Sequence, residues 1–404
     1  MFSKSILEVI LKTKSLVTLK VLTALLAINA HADSATSAAT IELQPQSCHK
    51  INEAVAALPP AGGTVKLAAG DFICDSPIIV SRDNVSIVGA GSTKTFIRAS
   101  KGKAIPVFII GTVFNSLQPD LKAGIPYPNY ITRNVSLSGV SINGAYLPET
   151  PPGHLECWDP KTDTSQNCGK DVGYFIRNNS LTVRRTHHVR VSDIQANSSF
   201  SGGIVLEKLN LDIIIDGFSA TMNAFDGFAG YETNSSLFKN FIVFENRYSG
   251  ISVDCDFNGN IFEDGIATRN GDNGVFSADV SNNIYRRLKV IKNGNLGFYI
   301  DGMRTDGKPV PGTCDGNEIH DTIISGPKFG VQINFPCKGI VINNVTIEQP
   351  KLECLSLFPG LDISITGSTC SDANRPRDKD DKTPARIVKI DNKGARSINV
   401  PAPL

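Results

Sequence analysis

The chain has 404 residues, with 40 basic against 39 acidic side chains and a formal net charge of +1. That balance creates no field to draw a nucleic acid or an anionic membrane surface, so neither is expected as a partner. Nine cysteines point to an oxidising compartment, where disulfides persist.

At the N-terminus Lys12, Lys14 and Lys20 precede the apolar run "VLTALLAI", and Ala30-His31-Ala32 supplies a small-x-small cleavage pattern. This predicts a signal peptide over 1–32 and a secreted or periplasmic mature protein. Lys20 cuts the apolar stretch well below the ~20 residues that a spanning helix needs, so membrane insertion is not expected. Residues 33–46, opening "DSATSAAT", read as a low-complexity linker. A short helix follows, with Ser47 as its N-cap, Ile51, Val55 and Leu58 on one face, and Pro59-Pro60 as its stop. It reads as a cap over the end of a sheet.

Beyond it, helical periodicity is nearly absent and short β-branched runs punctuated by Asn and Gly take over. Glycines open successive apolar strands at Gly203, Gly227, Gly250, Gly274, Gly297 and Gly330, and an Asn stands four residues ahead of four of them: Asn223, Asn246, Asn270 and Asn293. A repeat this short cannot bury its own apolar face, so neighbouring coils must stack into one core. The predicted fold is an all-β parallel solenoid over 47–370, with a tail over 371–404 that is partly linker. Asn in such a column suits left-handed turns and can bond to its copy one coil away. The sequons at Asn84, Asn134, Asn178, Asn197, Asn234 and Asn344 read first as turn residues.

Strand side chains alternate, so the first and third positions after each repeat glycine face the core. The fourth position then points outward: Glu207, Tyr231, Asp254, Ala278, Asp301 and Asn334. In a parallel stack these form one column with about 4.8 Å between rungs. Crowded carboxylates invite a cation, a ligand or a raised pKa. Arg286, Arg287, Lys208, Lys289 and Arg304 are near in sequence and can neutralise a substrate carboxylate. In the stretch "GISVDCDFNGN" alternation sends Asp254 and Asp256 outward, as ligands for a divalent cation such as Ca2+, and turns Cys255 toward the core. No cofactor is otherwise required. Local spacing pairs Cys48 with Cys74, Cys157 with Cys168, Cys314 with Cys337 and Cys354 with Cys370, leaving Cys255 as a free thiol. The segment 147–175 breaks the repeat; Trp158 and Tyr174 within it are candidates for stacking on a sugar.

The entry coils "AVAALPPAGGTVKLAAGDF" and "NVSIVGAGSTKTFIRAS", with the repeats "DGFAGYETNSSLFKNFIVFENRYSGISVD", resemble the right-handed parallel β-helix superfamily of pectate lyases, polygalacturonases and mannuronan C5-epimerases. The repeats look most like the epimerase module, and the likeness covers about residues 47 to 345. The resemblance implies a right-handed β-helix and an acidic, uronate-containing polysaccharide as partner. Where those epimerases carry Tyr-Gly-Phe-Asp-Pro-His, this chain reads "SGGIVLEK" from Ser201 to Lys208, so those catalytic residues do not carry over.

The expected activity is therefore a lyase or epimerase abstracting a proton beside the uronate carboxylate. Tyr231, Asp254 and Glu207 are the catalytic candidates, with Arg287 or an Asp254/Asp256-bound cation as neutraliser; Asp301, Asn334, Trp158 and Arg304 are the substrate-binding candidates. Two alternatives stay open. One is a non-catalytic surface or glycan-binding solenoid. The other is a glycoside hydrolase whose paired carboxylates, Glu207 with Asp254 or Asp254 with Asp301, lie two rungs or ~9.6 Å apart. The protein is expected to be a monomer.

Overall fold

The computed structural model describes residues 39–113, 117–119, 126–128, 130–147, 156–160, 162–167, 175–302, 314–334, 337–357, 361–371, 386–387 and 396–399. Residues 1–32, expected as a signal peptide, and Tyr174, Cys168, Arg304 and most of the tail fall outside these residues. Within the stretch expected as linker, Thr40–Leu43 is already a strand, paired parallel with Gly63–Leu67.

The helix His49–Ala57 buries Ile51, Ala54 and Val55 against the first coils. Its N-cap is Cys48, with no side-chain cap bond; Ser47 sits one residue earlier, and its Oγ accepts the His49 N–H at 3.3 Å. The other end is held from a distance. The Arg82 guanidinium donates to the carbonyls of Val55, Leu58 and Pro59 at 3.0, 2.9 and 2.6 Å, satisfying acceptors that the helix end leaves open. A Cys48–Cys74 disulfide ties the helix start to the strand Gly70–Cys74.

From there the chain winds as a right-handed parallel β-helix. An eleven-stranded sheet runs along one side, built from short strands including Leu181–Arg184, Ile204–Glu207, Phe228–Tyr231, Ile251–Asp254, Val275–Ala278, Leu296–Asp301 and Phe329–Asn334. The rest of each coil belongs to a larger sheet. That sheet bends at a column of left-handed residues: Gly139, Asp193, Gly217, Asn240, Asp264, Arg287, Asp321, Asn344 and Gly367. Gly, Asn and Asp are the residues that tolerate this conformation, and Arg287 is the exception in the column. Of the six sequons, Asn84, Asn134 and Asn344 also adopt positive φ, in keeping with turn chemistry.

The repeated asparagines work differently from the expectation. The left-handed residue is the one before each: Met222, Glu245, Arg269 and Lys292. The Asn side chains are buried and hydrogen-bonded in series. Asn223 Nδ2 donates to Asn246 Oδ1 at 2.8 Å, Asn246 Nδ2 to Asn270 Oδ1 at 2.9 Å, and Asn270 Nδ2 to Asn293 Oδ1 at 2.9 Å. A second series, unmarked by any repeat glycine, joins the backbone N–H of Asn260 to Asn283 Oδ1 and that of Asn283 to Asn317 Oδ1, both at 3.0 Å. The first of these steps spans 23 residues and the second 34.

Phe228, Phe238, Phe241, Phe257, Phe262, Tyr285 and Phe298 fill the interior of the central coils, each fully buried. Gly230 occupies a core position where a Cβ would run into the Phe257 ring. Gly230→Ala is therefore expected to lower stability by about 1–3 kcal/mol through overpacking; a thermal melt unchanged from wild type would show that the ring can move aside. Cys314–Cys337 and Cys354–Cys370 are bonded as their spacing suggested. Cys157 is disulfide-bonded, and its expected partner Cys168 lies outside the described residues. Cys255 is a free thiol. Among the described residues no helix is long and apolar enough to cross a membrane.

Candidate functional site

The parallel register sets the column on the outer face of the eleven-stranded sheet. Arg184 lies opposite Glu207, Tyr231 opposite Asp254, Ala278 opposite Asp301, and Asp301 opposite Asn334. Alternation holds, with Ile251 and Val253 fully buried in the core. The residue after the column position is left-handed in five successive coils: Arg185, Lys208, Glu232, Cys255 and Asp279. That turn breaks the alternation and carries the next side chain to the outer face.

The result is a cleft of about 320 Å³ in place of an open acidic stripe. Glu207, Tyr231 and Asp254 line it from the column, and Lys208, Glu232 and Cys255 line it from the left-handed turn. Arg177, Asn179 and Phe225 complete the opposite wall. Cys255 thus faces the cleft and not the core, because its φ of 49° ends the strand at Asp254. Asp256 follows with φ 61° and is exposed beyond the strand end. Among the described residues no three His, Cys, Asp or Glu side chains cluster closely enough to hold a metal ion, Asp254 and Asp256 included.

Enclosure changes the chemistry of the column. Asp254 is only 9% exposed, and burial pushes its carboxyl up to about 6 against opposing hydrogen bonds from Cys255, with Asp279 and Asp301 adding to the rise. One of those bonds runs from the Cys255 backbone N–H to Asp254 Oδ1 at 2.7 Å. Burial also raises the Tyr231 hydroxyl above the usual phenol range, so it stays protonated at neutral pH. Glu207 is held differently: Arg184, fully buried, sits 3.2 Å from its carboxylate. Behind the cleft, Asp226 is buried and pushed up to about 7 by its burial, although the Ser249 N–H donates to it at 2.8 Å.

Several expected residues are elsewhere. Arg287 sits at the corner of the larger sheet, where its guanidinium bonds Asp264 and Glu263 at 2.7 and 2.9 Å; it does not line the cleft. Arg286 is tied to Glu263 beside it. Trp158 is 4% exposed and donates its indole N–H to Asp163 at 2.8 Å, so it has no face free to stack on a sugar. Arg304 and Tyr174 lie outside the described residues. Asp301 and Asn334 are on the same face as the cleft, joined through the Tyr299 hydroxyl.

The cations at the cleft, Arg177 and the buried Arg184, were not identified from sequence. The strand Leu181–Arg184 opens with Ser180 where later coils have Gly, yet its apolar Leu181 and Val183 followed by Arg184 repeat the pattern of the later rungs. An aromatic wall was also missed. Phe225 and Tyr248 stand on successive coils with ring centroids 4.6 Å apart, and Arg177 lies 5.7 Å over the Phe225 ring.

Residues 203–371 match the sequence profile of the family described as the right handed beta helix region. Together with the stacked parallel sheets, this shows the fold to be a right-handed parallel β-helix. Among solved structures, an alginate lyase from a Paenibacillus strain is similar at 10% identity and TM-score 0.51, over 80% of this chain and 97% of that one. A surface adhesin of Streptococcus pneumoniae is similar at 12% identity and TM-score 0.53, over 81% of this chain and 90% of that one. The A-module of a mannuronan C-5 epimerase from Azotobacter vinelandii aligns at 16% identity and TM-score 0.48, over 81% and 97%. At these identities the likeness is one of fold. No curated protein matches the sequence.

Proposed function

We propose that this is an exported carbohydrate-active β-helix enzyme that acts on an acidic polysaccharide by proton transfer next to a uronate carboxylate. The observation that carries this reading is a carboxyl poised at about 6 beside a protonated phenol, in a cleft also lined by Arg177 and Lys208.

Proton abstraction at the carbon bearing the carboxylate needs that carboxylate neutralised, or the developing enolate is too high in energy. Arg177 and Lys208 take the neutralising role for which Arg287 had been expected. Asp254, ionised above its pKa, removes the C5 proton; a carboxyl near 6 suits base chemistry at neutral pH. The Tyr231 hydroxyl then gives a proton either to the departing glycosidic oxygen, leaving an unsaturated uronate, or to the opposite face of C5, inverting it. Glu207, beside Arg184, lines the same cleft. A hydrolase would need a pair of carboxyls as acid and base, whereas here the phenol of Tyr231 stands protonated opposite Asp254, which favours proton transfer at the uronate. The similar fold named as an alginate lyase is in keeping with this substrate class, and the one named as a surface adhesin with binding alone.

The test is uronan turnover followed by absorbance of unsaturated product and by solvent proton exchange at C5. Wild type is expected to show one or both signals. Tyr231→Phe should lower the rate by about 10²–10⁴-fold, and Arg177→Ala should weaken both binding and rate. Binding without either signal on any uronan would move the reading to a glycan-binding solenoid.

A further inference from the structure

The outer face of the eleven-stranded sheet is not equally open along its length. In the strands Phe108–Gly111 and Leu181–Arg184 every residue is buried, the outward ones included. Ile109 and Thr182, paired in register on consecutive rungs, are both fully buried. On the next two rungs of the same column Val205 and Ala229 form the floor of the cleft, at 4% and 3% exposure. Beyond them the column continues half-buried as Ser252, Phe276, Tyr299 and Gln332. Outward residues of a sheet are ordinarily wetted, so the early coils are covered and the later ones are not.

The cover next to the cleft is fixed in place. Asn179, 1% exposed, folds over the rung of Thr182: its Nδ2 donates to the Thr182 hydroxyl and its Oδ1 accepts the Gly202 N–H, both at 3.0 Å. Arg177 stands beside it on the short strand Ile176–Arg177, which pairs antiparallel with Glu156–Asp159. That strand turns back as Thr164–Asn167, and Ser165 Oγ in the returning arm donates to the Ala104 carbonyl and accepts from Asn178 Nδ2 at 3.2 Å. Trp158 and Cys157, 4% and 5% exposed, are buried within this hairpin. The side walls of the cleft are Phe225, ahead of its strand, and Lys208, Glu232 and Cys255, after theirs. Its long direction is therefore the solenoid axis, and Asn179 and the hairpin close one end.

We propose that the cleft is blind at this end and takes the terminal sugars of the polysaccharide, with the rest of the chain leaving over the open later coils. An internal sugar carries chain on both sides, and one side would have to pass through Asn179 and the buried Thr182, which excludes it by clash. Arg184, level with the cover, is three rungs from Asp254, about 14 Å, so only a short chain end fits between the cover and the reacting groups. This rests on the cleft being a uronate site, and it adds where along the polymer that site acts.

Titration of the full chain with a hexauronate, unlabelled or carrying a bulky dye at one end or the other, tests it. The dye at one end should weaken binding by at least about 10-fold, and at the other end should leave it unchanged. On polymer at equal sugar mass and below saturation, chains cut to one-tenth of their length should turn over about 10-fold faster, because the concentration of ends sets the rate. Unsaturation or C5 exchange should begin at a terminal sugar. A dye tolerated at both ends or at neither overturns the blind cleft, as does a rate per sugar indifferent to chain length; Arg177→Ala still weakening binding then leaves the uronate cleft standing. Failure of every uronan to bind, or binding untouched by Arg177→Ala, overturns both.

Discussion

Asp254→Asn is expected to cut turnover on an acidic polysaccharide by about 10²–10⁴-fold and, at the same time, to make the protein more stable at alkaline pH. The two effects share a cause. Burial and the neighbouring Asp279 and Asp301 lift the folded-state pKa of Asp254 from 3.8 to about 6, so the native chain holds this proton more tightly than the unfolded chain does. Stability from this group is then fully present below pH ~4, falls as pH rises through 6, and settles above that at a cost of about 3 kcal/mol. Asparagine keeps an oxygen for the Cys255 N–H and carries no charge, so it recovers ~1–3 kcal/mol at pH 8 and nothing at pH 4. Asp226, pushed up to about 7, bends the wild-type curve in the same direction. In the rate profile the acid limb should sit near 6, since Asp254 must be ionised to act as base. Denaturant melts of wild type and Asp254→Asn at pH 4 and pH 8 decide the matter: equal gains at both pH values would mean that the carboxyl is not strained, and the catalytic assignment would lose its physical basis.

Asn246→Ala should be among the most destabilising single changes in the solenoid, at about 3–5 kcal/mol. Its Oδ1 accepts from the backbone and side-chain amides of Asn223, at 3.2 and 2.8 Å, and its Nδ2 donates to the Ala220 carbonyl and to Asn270 Oδ1, both at 2.9 Å. The residue is 2% exposed, so water does not replace the lost partners, and each orphaned group costs about 1–3 kcal/mol. Asn240→Ala is the contrast, since its bond to Asp216 at 2.7 Å is exposed; it should cost only about 1–2 kcal/mol, most of it from placing Ala at a φ of 55°. Coils in a solenoid lean on their neighbours, so the loss should spread: amide exchange is expected to quicken across the coils on either side of Asn246 and not at the N-terminal cap. A shift in melting temperature no larger than that of Asn240→Ala would show that the ladder is dispensable.

The architecture was legible because the repeat glycines and asparagines keep one register in the sequence. The reason for the asparagines was not, since a hydrogen-bond ladder and a left-handed turn select the same residue and only φ separates them. The column at Glu207, Tyr231 and Asp254 followed from strand parity. Its enclosure did not, because it depends on a left-handed turn after each strand, and residues as different as Lys208, Glu232 and Cys255 adopt that conformation. Arg287 misled through adjacency along the chain: a coil wraps all sides of the solenoid, so the few residues separating it from the column in sequence become a different side in space. Arg177 reaches the cleft from an earlier coil that lacks the repeat glycine, where periodicity gave no landmark.

The second asparagine series has a consequence for how such a protein changes over time. Asn283 reaches Asn317 with the same 3.0 Å bond that Asn260 makes to Asn283, although one step spans 34 residues and the other 23. Coil length is therefore not what holds the stack in step; the bonded positions are. A solenoid of this kind can gain or lose a stretch of chain in one coil, here between Asp301 and Cys314, without disturbing the rungs on either side. Its outer surface can be rewritten one coil at a time while its scaffold is inherited whole.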